Sequence, residues 1–298
     1  MSGEYIAQQI VNGLILGSMY ALVAIGFSMI YGIIRLINFA HGDVVMIGAF
    51  LTLGLLQVAG APFLIVALVV LIASAIVGIL IEKGAFRPMR GAPQVTGFIA
   101  SLAVSIMLQN LGILVLTAQP RNFTFPDYLQ KVINMGGVSF RAVDVVIMLS
   151  ALTLMCALIL LVNKTKLGMA MRATAENIDV ARLMGININR TIMATFAMGS
   201  ALAGIAGLMW GGKFGQIDPL LGFVPGLKSF VAAVIGGVGS IPGAILGGYV
   251  LGLSEVLFVG LLPPIYSAFR DAFVFSTLIL ILLIMPNGIL GKPMEEGT

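Results

Sequence analysis

Residues 163–190 read NKTKLGMAMRATAENIDVARLMGININR and form a polar segment between two apolar runs. The run before it, residues 145–162, and the run after it, residues 191–212, contain no Asp, Glu, Lys or Arg. Each run is close to the ~20 apolar residues that a helix needs to cross a bilayer. The polar segment carries more basic than acidic side chains, as cytoplasmic loops of membrane proteins do. This pattern predicts membrane-spanning helices that are joined by a basic loop.

A short amphipathic helix is predicted within this loop, over residues 175–184. Thr174 is a suitable N-cap, Glu176 lies in the first turn, and Gly185 follows the segment as a C-terminal glycine does. Three apolar residues recur on one helical face: Ile178, Ala181 and Met184. Two interpretations stay open, a solvated connector between two spans and a helix that docks on a soluble partner.

The composition of the chain decides its class. Hydrophobic residues make up 59% of the 298 residues, and charged residues only 9%. This excludes a soluble domain and predicts a polytopic membrane protein. The apolar runs are continuous rather than alternating, and there are 37 glycines, so we expect an all-α protein of closely packed helices rather than a β-barrel. The net charge of +4 arises from loop residues, so we expect contact with membrane lipid and no nucleic-acid partner.

The apolar runs predict about 8 membrane segments in a single transmembrane domain over residues 1–298. Residues 10–31, 91–120, 145–163, 191–212 and 272–291 are assigned to single spans. Residues 44–81 hold two spans, separated near residues 57–62. Glycines interrupt residues 226–263, and the first arm, up to Gly239, rises only about 21 Å as a helix, short of the ~30 Å hydrocarbon core. We therefore predict a broken or re-entrant hairpin there, which is tolerated only where protein or water covers it.

The basic residues predict the orientation of the chain. If residues 163–190 are cytoplasmic, ten of the 16 Lys and Arg lie on that side and six on the other. The ten are Arg35, Lys83, Arg87, Arg90, Lys164, Lys166, Arg172, Arg182, Arg190 and Lys292. This bias predicts an outside N-terminus and a cytoplasmic C-terminus. Successive spans must cross the membrane in alternating directions, so this orientation requires residues 226–263 to start and end outside, as a hairpin does.

Three polar side chains precede the second span: Asn38, His41 and Asp43. A carboxylate close to lipid is costly, so its presence usually reflects function. One interpretation is that these side chains shape the cytoplasmic half of a path through the membrane. The other is that Asp43 is hydrated at the interface beside Arg35, and that His41 is a neutral group that caps helix ends.

The hairpin supplies a second set of candidate path residues, which share its glycine-rich turn. They are Gly236, Gly237, Gly239, Pro242 and Gly243. Small residues spaced four apart also allow helix backbones to approach closely, so packing is the alternative explanation.

Catalysis needs clustered nucleophiles, bases or metal ligands. The chain has one His and one Cys, His41 and Cys156, far apart in sequence, so we expect no catalytic and no metal site. Residues 207–214, GLMWGGKF, approach a phosphate-binding loop, but Phe214 stands where Ser or Thr must hold magnesium. We therefore expect a chain that is not an enzyme and does not hydrolyse ATP by itself.

Four segments together resemble the LivH-type permeases of bacterial branched-chain amino acid ABC importers. They are residues 12–50, NGLILGSMYALVAIGFSMIYGIIRLINFAHGDVVMIGAF; residues 172–186, RATAENIDVARLMGI; residues 236–248, GGVGSIPGAILGG; and residues 283–291, LIMPNGILG. The resemblance implies a permease that carries aliphatic amino acids such as leucine, isoleucine and valine across the bacterial inner membrane into the cytoplasm.

The resemblance also implies partners and a role for the basic loop. The partners would be a second, related permease that forms a heterodimer with this chain, two cytoplasmic ATPase subunits that hold ATP and Mg²⁺, and a periplasmic substrate-binding protein. No cofactor is expected on this chain. Residues 175–184 would be the coupling helix, with Glu176, Ile178, Asp179, Ala181, Arg182, Met184 and Gly185 as the coupling residues.

The alternative function is an ion-coupled secondary carrier or a channel for a small neutral solute. Such a carrier is expected to place an ionisable relay deep in several spans. An importer permease is instead expected to have a cytoplasmic docking helix and a mostly apolar path.

Overall fold

The computed structural model describes residues 2–291, apart from the side chain of Val58. Its α-helices are α1 (Gly3–Ile34), α2 (Ala40–Leu53), α3 (Phe63–Ile81), α4 (Gln94–Leu116), α5 (Asp127–Gln130), α6 (Ala142–Lys164), α7 (Lys166–Glu176), α8 (Ile178–Leu183), α9 (Ile188–Phe214), α10 (Phe223–Gly236), α11 (Ile241–Leu261) and α12 (Arg270–Ile284). Its short strands are β1 (Arg121–Asn122), β2 (Val132–Met135), β3 (Val138–Arg141) and β4 (Gln216–Ile217). Lys292, which the charge count places in the cytoplasm, lies outside the described residues.

Eight helices of the described chain are long and apolar enough to cross a membrane, which confirms the all-α polytopic fold. Tighter or wider turns extend three of them. The π-helices Gly54–Val58 and Glu82–Phe86 lengthen α2 and α3, and the 3-10 helix Pro264–Phe269 precedes α12. The predicted break between the second and third spans is also confirmed, since helical structure resumes only after Pro62.

Helix α1 lies at the centre of the bundle, antiparallel to α11. Gly13, near its start, packs against Leu253, and Gly32, near its end, packs against Gly239. A Cβ on Gly13 would lie 2.9 Å from the Leu253 side chain, so glycine is what allows this approach. In the most apolar stretch of α1, 89% of the residues are buried, whereas in the most apolar stretch of Pro264–Ile284 only 6% are buried. The outer helices therefore turn apolar side chains outward, as helices that face lipid do.

Helix α2 begins inside the bundle. Helix α1 ends at Arg35, whose φ of 55° is left-handed, and the chain then folds back so that Leu36 packs against Gly97 near the start of α4. Further along, Gln109, near the middle of α4, donates a hydrogen bond of 3.0 Å to Asp43. The first turn of α2 thus packs beside α4, and its place in the cytoplasmic half of a path stays a prediction.

The hairpin prediction is confirmed. Helix α10 has 14 residues and rises about 21 Å, too short to span, whereas α11 has 21 residues. The turn between them contains Gly237 and Gly239 at φ values of 105° and 90°, which glycine adopts without steric cost. Gly236 then contacts Gly243 across the two arms. Both ends of the hairpin therefore lie on the same side of the bundle.

The two ends of the bundle differ in what they carry. The N-terminal side carries Gly3, and the loop side carries α7 and α8. On the N-terminal side, β1 pairs with β4, and β2 pairs with β3 across a turn at Gly136 and Gly137. Ser139 of this hairpin exchanges hydrogen bonds of 2.8 and 2.9 Å with Gln8 of α1. Sequence analysis did not predict these strands, although two glycines between short runs are a hairpin signal.

Candidate functional site

The loop side contains the predicted coupling segment, but its helix is divided. Asn177 is extended, with φ of −154°, and its Oδ1 accepts hydrogen bonds of 3.0 Å from the N–H groups of Asp179 and Val180. Asn177 is therefore the N-cap of α8, and the prediction that Thr174 caps a helix beginning at residue 175 is wrong. Thr174 lies within α7, where its hydroxyl donates to the Ala170 carbonyl at 2.7 Å. The Asn177 side chain caps the next turn, and these hydrogen bonds favour a break over continuation of the helix.

The predicted end of this helix is confirmed. Gly185 has φ of 81°, and its N–H donates to the Arg182 carbonyl at 3.0 Å. The N–H of Ile186 donates to the Ala181 carbonyl at 3.1 Å. These two bonds close a Schellman motif, in which a left-handed glycine satisfies the last carbonyls of the helix.

The exposed face of α8 differs from the predicted one. Ala181 is 2% exposed and packs into its own chain, and Ile178 is half-buried, so these two residues do not form an outward face. The outward apolar residues are Val180, Leu183 and Met184, at 54%, 86% and 78% exposure. We call these three the coupling surface. The prediction failed because the break at Asn177 sets the rotation of α8, and spacing alone cannot tell which apolar residues meet the bundle.

The charged coupling candidates surround the coupling surface. Glu176, Asp179 and Arg182 are exposed, as is Gly185. Arg182 Nη1 lies 3.5 Å from Asp179 Oδ1, with both side chains largely in solvent. An exposed pair of this kind contributes ~0–1 kcal/mol. The arrangement therefore offers an apolar centre with a polar margin, which is the usual anatomy of a protein interface.

A cavity of about 520 Å³ lies behind α8 on the loop side. Its wall includes Ile178 and Arg182 of α8, Ile192 of α9, and Arg90 of the loop after α3. Arg90 contacts both Asn189 of α9 and Glu82, and the Glu82 side chain is fully buried. The cavity therefore lies between α8, α9 and the loop that follows α3.

The three polar candidates before the second span are packed inside the protein. Asn38, His41 and Asp43 are at most 2% exposed. The His41 ring lies 4.8 Å from the Phe27 ring in an edge arrangement, and within the described residues neither its nitrogens nor the Asn38 amide has a hydrogen-bond partner. The alternative that Asp43 is hydrated beside Arg35 is wrong, because its carboxylate is buried against Gln109. A role in a translocation path stays a prediction for all three.

The glycine-rich candidates lie in close backbone contacts. Gly236 packs on Gly243, and Gly237 packs on Gly291, near the end of the described chain. Gly239 and Pro242 are exposed at the turn. Packing thus accounts for the buried glycines of the turn, and a path-lining role for any of them stays a prediction.

A second cavity, of about 720 Å³, lies on the N-terminal side between α1, α9, α10 and α11. Charged side chains meet at its wall. Lys228 of α10 lies 2.7 Å from both Glu255 of α11 and Asp271 of α12. Arg270 Nε lies 3.3 Å from the same Glu255 oxygen, and the Tyr20 hydroxyl donates to the other at 2.9 Å. Lys228 and Glu255 are each 3% exposed, so their charges are stabilised by one another rather than by water.

Comparison with known proteins places this bundle in a family. The sequence matches the family described as "Branched-chain amino acid transport system / permease component" over residues 9–284. The chain belongs to this permease family. The high-affinity branched-chain amino acid transport system permease protein BraD of Pseudomonas aeruginosa is 41% identical over 97% of this chain and 97% of its own length.

Other relatives of this permease agree with that assignment. LivH of Escherichia coli K12, a high-affinity branched-chain amino acid transport system permease protein, is 41% identical over 98% of this chain and 97% of its own. The probable branched-chain amino acid transport permease protein LivH of Methanocaldococcus jannaschii is 33% identical over 96% and 92%. No solved structure matches the chain.

Sequence analysis of the permease missed the charged group at the second cavity. Lys228 and Arg270 are two of the six basic residues that the charge count places outside, and Glu255 was not assigned a role. A signal was present, because an ionisable residue within an apolar segment usually has a partner of opposite sign. Lys228 and Glu255 lie in the two arms of the hairpin, so its folding brings them together.

Proposed function

We propose that this permease is the membrane-spanning subunit of an ABC importer that moves branched-chain amino acids into the cytoplasm, as a single transmembrane domain over residues 1–298. The observation that carries the proposal is the family match over residues 9–284, with relatives at 41% identity that are named for branched-chain amino acid transport. Near full-length similarity at this level supports a shared substrate class. Leucine, isoleucine and valine are the proposed substrates.

The proposed partners follow from what the chain exposes. The coupling surface on α8 suits a docking groove on a cytoplasmic ATPase, because exposed apolar side chains with a polar margin gain most from burial by a partner. Two such ATPases, a second related permease and a periplasmic binding protein complete the proposed importer. The proposed heterodimer follows from the resemblance to LivH-type permeases.

Energy is proposed to come from ATP and Mg²⁺ on the ATPase subunits, with no cofactor and no enzymatic site on this chain. Residues 207–214, the segment that approaches a phosphate-binding loop, are the last turns of α9. Gly207 packs on the Val45 carbonyl and Gly212 on the Phe125 ring, so these glycines serve helix packing. A phosphate needs a loop with free N–H groups, which a continuous helix does not offer.

The proposed function is tested by transport in liposomes. The complete importer, with ATP inside and the binding protein outside, is expected to accumulate radiolabelled leucine, and an importer with a hydrolysis-defective ATPase is expected not to. The buried Lys228–Glu255 pair is a feature that an ion-coupled carrier would also need, so the permease alone is tested under proton and sodium gradients. Leucine accumulation by the permease alone would contradict the proposal.

We also propose that the N-terminal side faces the periplasm, with the permease in the inner membrane and its C-terminus in the cytoplasm. The excess of Lys and Arg on the loop side supports this orientation. On a Cys156→Ser background, a cysteine at Asn177 is expected to react with an impermeant maleimide only after the membrane is opened. A cysteine at Ser139 is expected to react in intact cells. Both residues are exposed, so accessibility is matched, and the opposite labelling pattern would reverse the proposed orientation.

A further inference from the structure

The cavity on the N-terminal side combines opposite charges with an apolar wall. Its charged members are Lys213, Asp218, Lys228, Glu255 and Arg270, and its apolar members include Leu16, Trp210 and Val256. Its volume of about 720 Å³ falls in the range of roughly 300 to 1,000 Å³ that is typical of small-molecule sites. This combination differs from the mostly apolar path that the sequence predicts for an importer.

Arg270 is the most exposed of the three cations that line this cavity, since Lys213 is 21% exposed and paired with Asp144, and Lys228 is 3% exposed. The Arg270 Nε lies 3.3 Å from Glu255 Oε1, and its side chain is 50% exposed. Within the described residues, no hydrogen bond involves its two terminal nitrogens. A guanidinium fork binds a carboxylate through two parallel hydrogen bonds, so these free nitrogens suit a carboxylate ligand.

Lys228 is committed to ion pairs within the protein, and the two carboxylates that it pairs with, Glu255 and Asp271, also hold Arg270 in position. Its ammonium is shared between Glu255 and Asp271 at 2.7 Å each, and its side chain is 3% exposed. The Tyr20 hydroxyl donates a hydrogen bond to the second Glu255 oxygen. Because these groups satisfy one another, Arg270 is the group of this network that remains open to the cavity.

Asp218 supplies a negative charge at the same cavity. One of its carboxylate oxygens accepts the Leu220 N–H at 2.8 Å, which fixes the loop before α10. The structure records no ion pair for Asp218 among the described residues, although it lines the same cavity as Arg270. An ammonium group is the natural complement of this carboxylate.

We propose that this cavity is a low-affinity site for a zwitterionic aliphatic amino acid. Arg270 binds the α-carboxylate, Asp218 binds the α-ammonium, and the aliphatic side chain lies against Leu16, Trp210 and Val256. The amino-acid identity of the ligand rests on the proposed function. Both charged groups are partly solvated, which weakens each contact and suits a site that must release its ligand during transport.

The site is tested by protection of a cysteine in the cavity. The complete importer without ATP is reconstituted with Val256→Cys on a Cys156→Ser background and treated with a water-soluble maleimide. L-Leucine at roughly ten times its dissociation constant is expected to slow labelling about tenfold, because bound ligand shields the cavity. L-Leucinamide, which keeps the ammonium and the side chain but lacks the carboxylate, is expected to protect far less.

Substitutions of Arg270 and Asp218 test which side chains bind the ligand. Adding Arg270→Gln is expected to raise the leucine concentration for half-protection by roughly 10- to 100-fold, as loss of a charge-assisted pair does. Asp218→Asn is expected to weaken protection by leucine, and Lys131→Gln, which removes an exposed cation on the same side, is expected to leave it unchanged. A cysteine at Ser139, outside the cavity, is expected to show no protection.

Several outcomes would overturn the proposal. These are no protection of Val256→Cys by leucine, equal protection by leucinamide, or full protection in the Arg270→Gln variant. The comparison of leucine with leucinamide needs no charge variant, so it decides even if Arg270→Gln does not fold. ATP-driven leucine uptake without protection would refute this site and leave the proposed function standing, whereas absence of uptake would refute the proposed function itself.

Discussion

Replacement of Leu183 by Glu is expected to abolish ATP-driven uptake while the permease stays folded in the membrane. Leu183 is 86% exposed and lies beside Met184 at 78%, so the substitution disturbs no contact of importance within the chain. In the proposed interface the same position would be buried by an ATPase. A charge placed in an apolar interface centre costs about 2 kcal/mol or more, a loss of roughly 30-fold in affinity.

The measurement is co-purification of the ATPase together with leucine uptake in liposomes. Leu183→Met keeps the apolar surface and is expected to behave like the unmodified protein. Arg182→Ala removes only the exposed pair with Asp179 and is expected to have a small effect. Normal uptake with the ATPase still bound to Leu183→Glu would show that α8 is only a connector.

A charge at Ala181 is expected to act differently from one at Leu183. Ala181 is 2% exposed and lies against its own bundle, so Ala181→Glu places an unpaired carboxylate in the interior of the loop. The loop itself is then destabilised, whatever binds to it. A lower unfolding temperature of the isolated permease is expected for Ala181→Glu but not for Leu183→Glu, and comparison of the two in detergent separates folding from docking.

Replacement of Gly243 by Leu is expected to prevent the hairpin from packing, which is the largest expected effect on folding. A Cβ at Gly243 would meet the Gly236 carbonyl, which belongs to the backbone and cannot move aside as a side chain does. Overpacking in a core costs about 1–3 kcal/mol or more, and a backbone contact lies at the upper end. The hairpin arms also carry Lys228 and Glu255, so their separation would break the buried ion pair.

Gly84→Leu is the matched control, because a Cβ at Gly84 meets no atom within 4 Å. The measurement is the amount of monodisperse permease and its unfolding temperature in detergent. Gly243→Leu is expected to yield little folded protein, and Gly84→Leu is expected to resemble the unmodified chain. Equal yields from the two variants would mean that α10 and α11 do not pack as described.

The amino-acid sequence by itself determined the class and the segmentation of this protein. Charge-free runs of about 20 residues leave no stable alternative to membrane-spanning helices, because every backbone polar group must be satisfied in lipid. The hairpin followed from glycines that interrupt an arm too short to span. Gly185 as a helix terminator followed from the left-handed geometry that only glycine adopts cheaply. These features are local, so they can be inferred from neighbouring residues.

Only the tertiary structure decided which surfaces and charges meet. The outward face of α8 depends on Asn177, whose capping turn sets the rotation of the helix against the bundle. The burial of Asp43 depends on α4, whose Gln109 is 66 residues away in sequence. The group of Tyr20, Lys228, Glu255 and Asp271 comes from four different helices. Such contacts result from the packing of distant segments, and the spacing of residues along one segment contains no information about what another segment places opposite it.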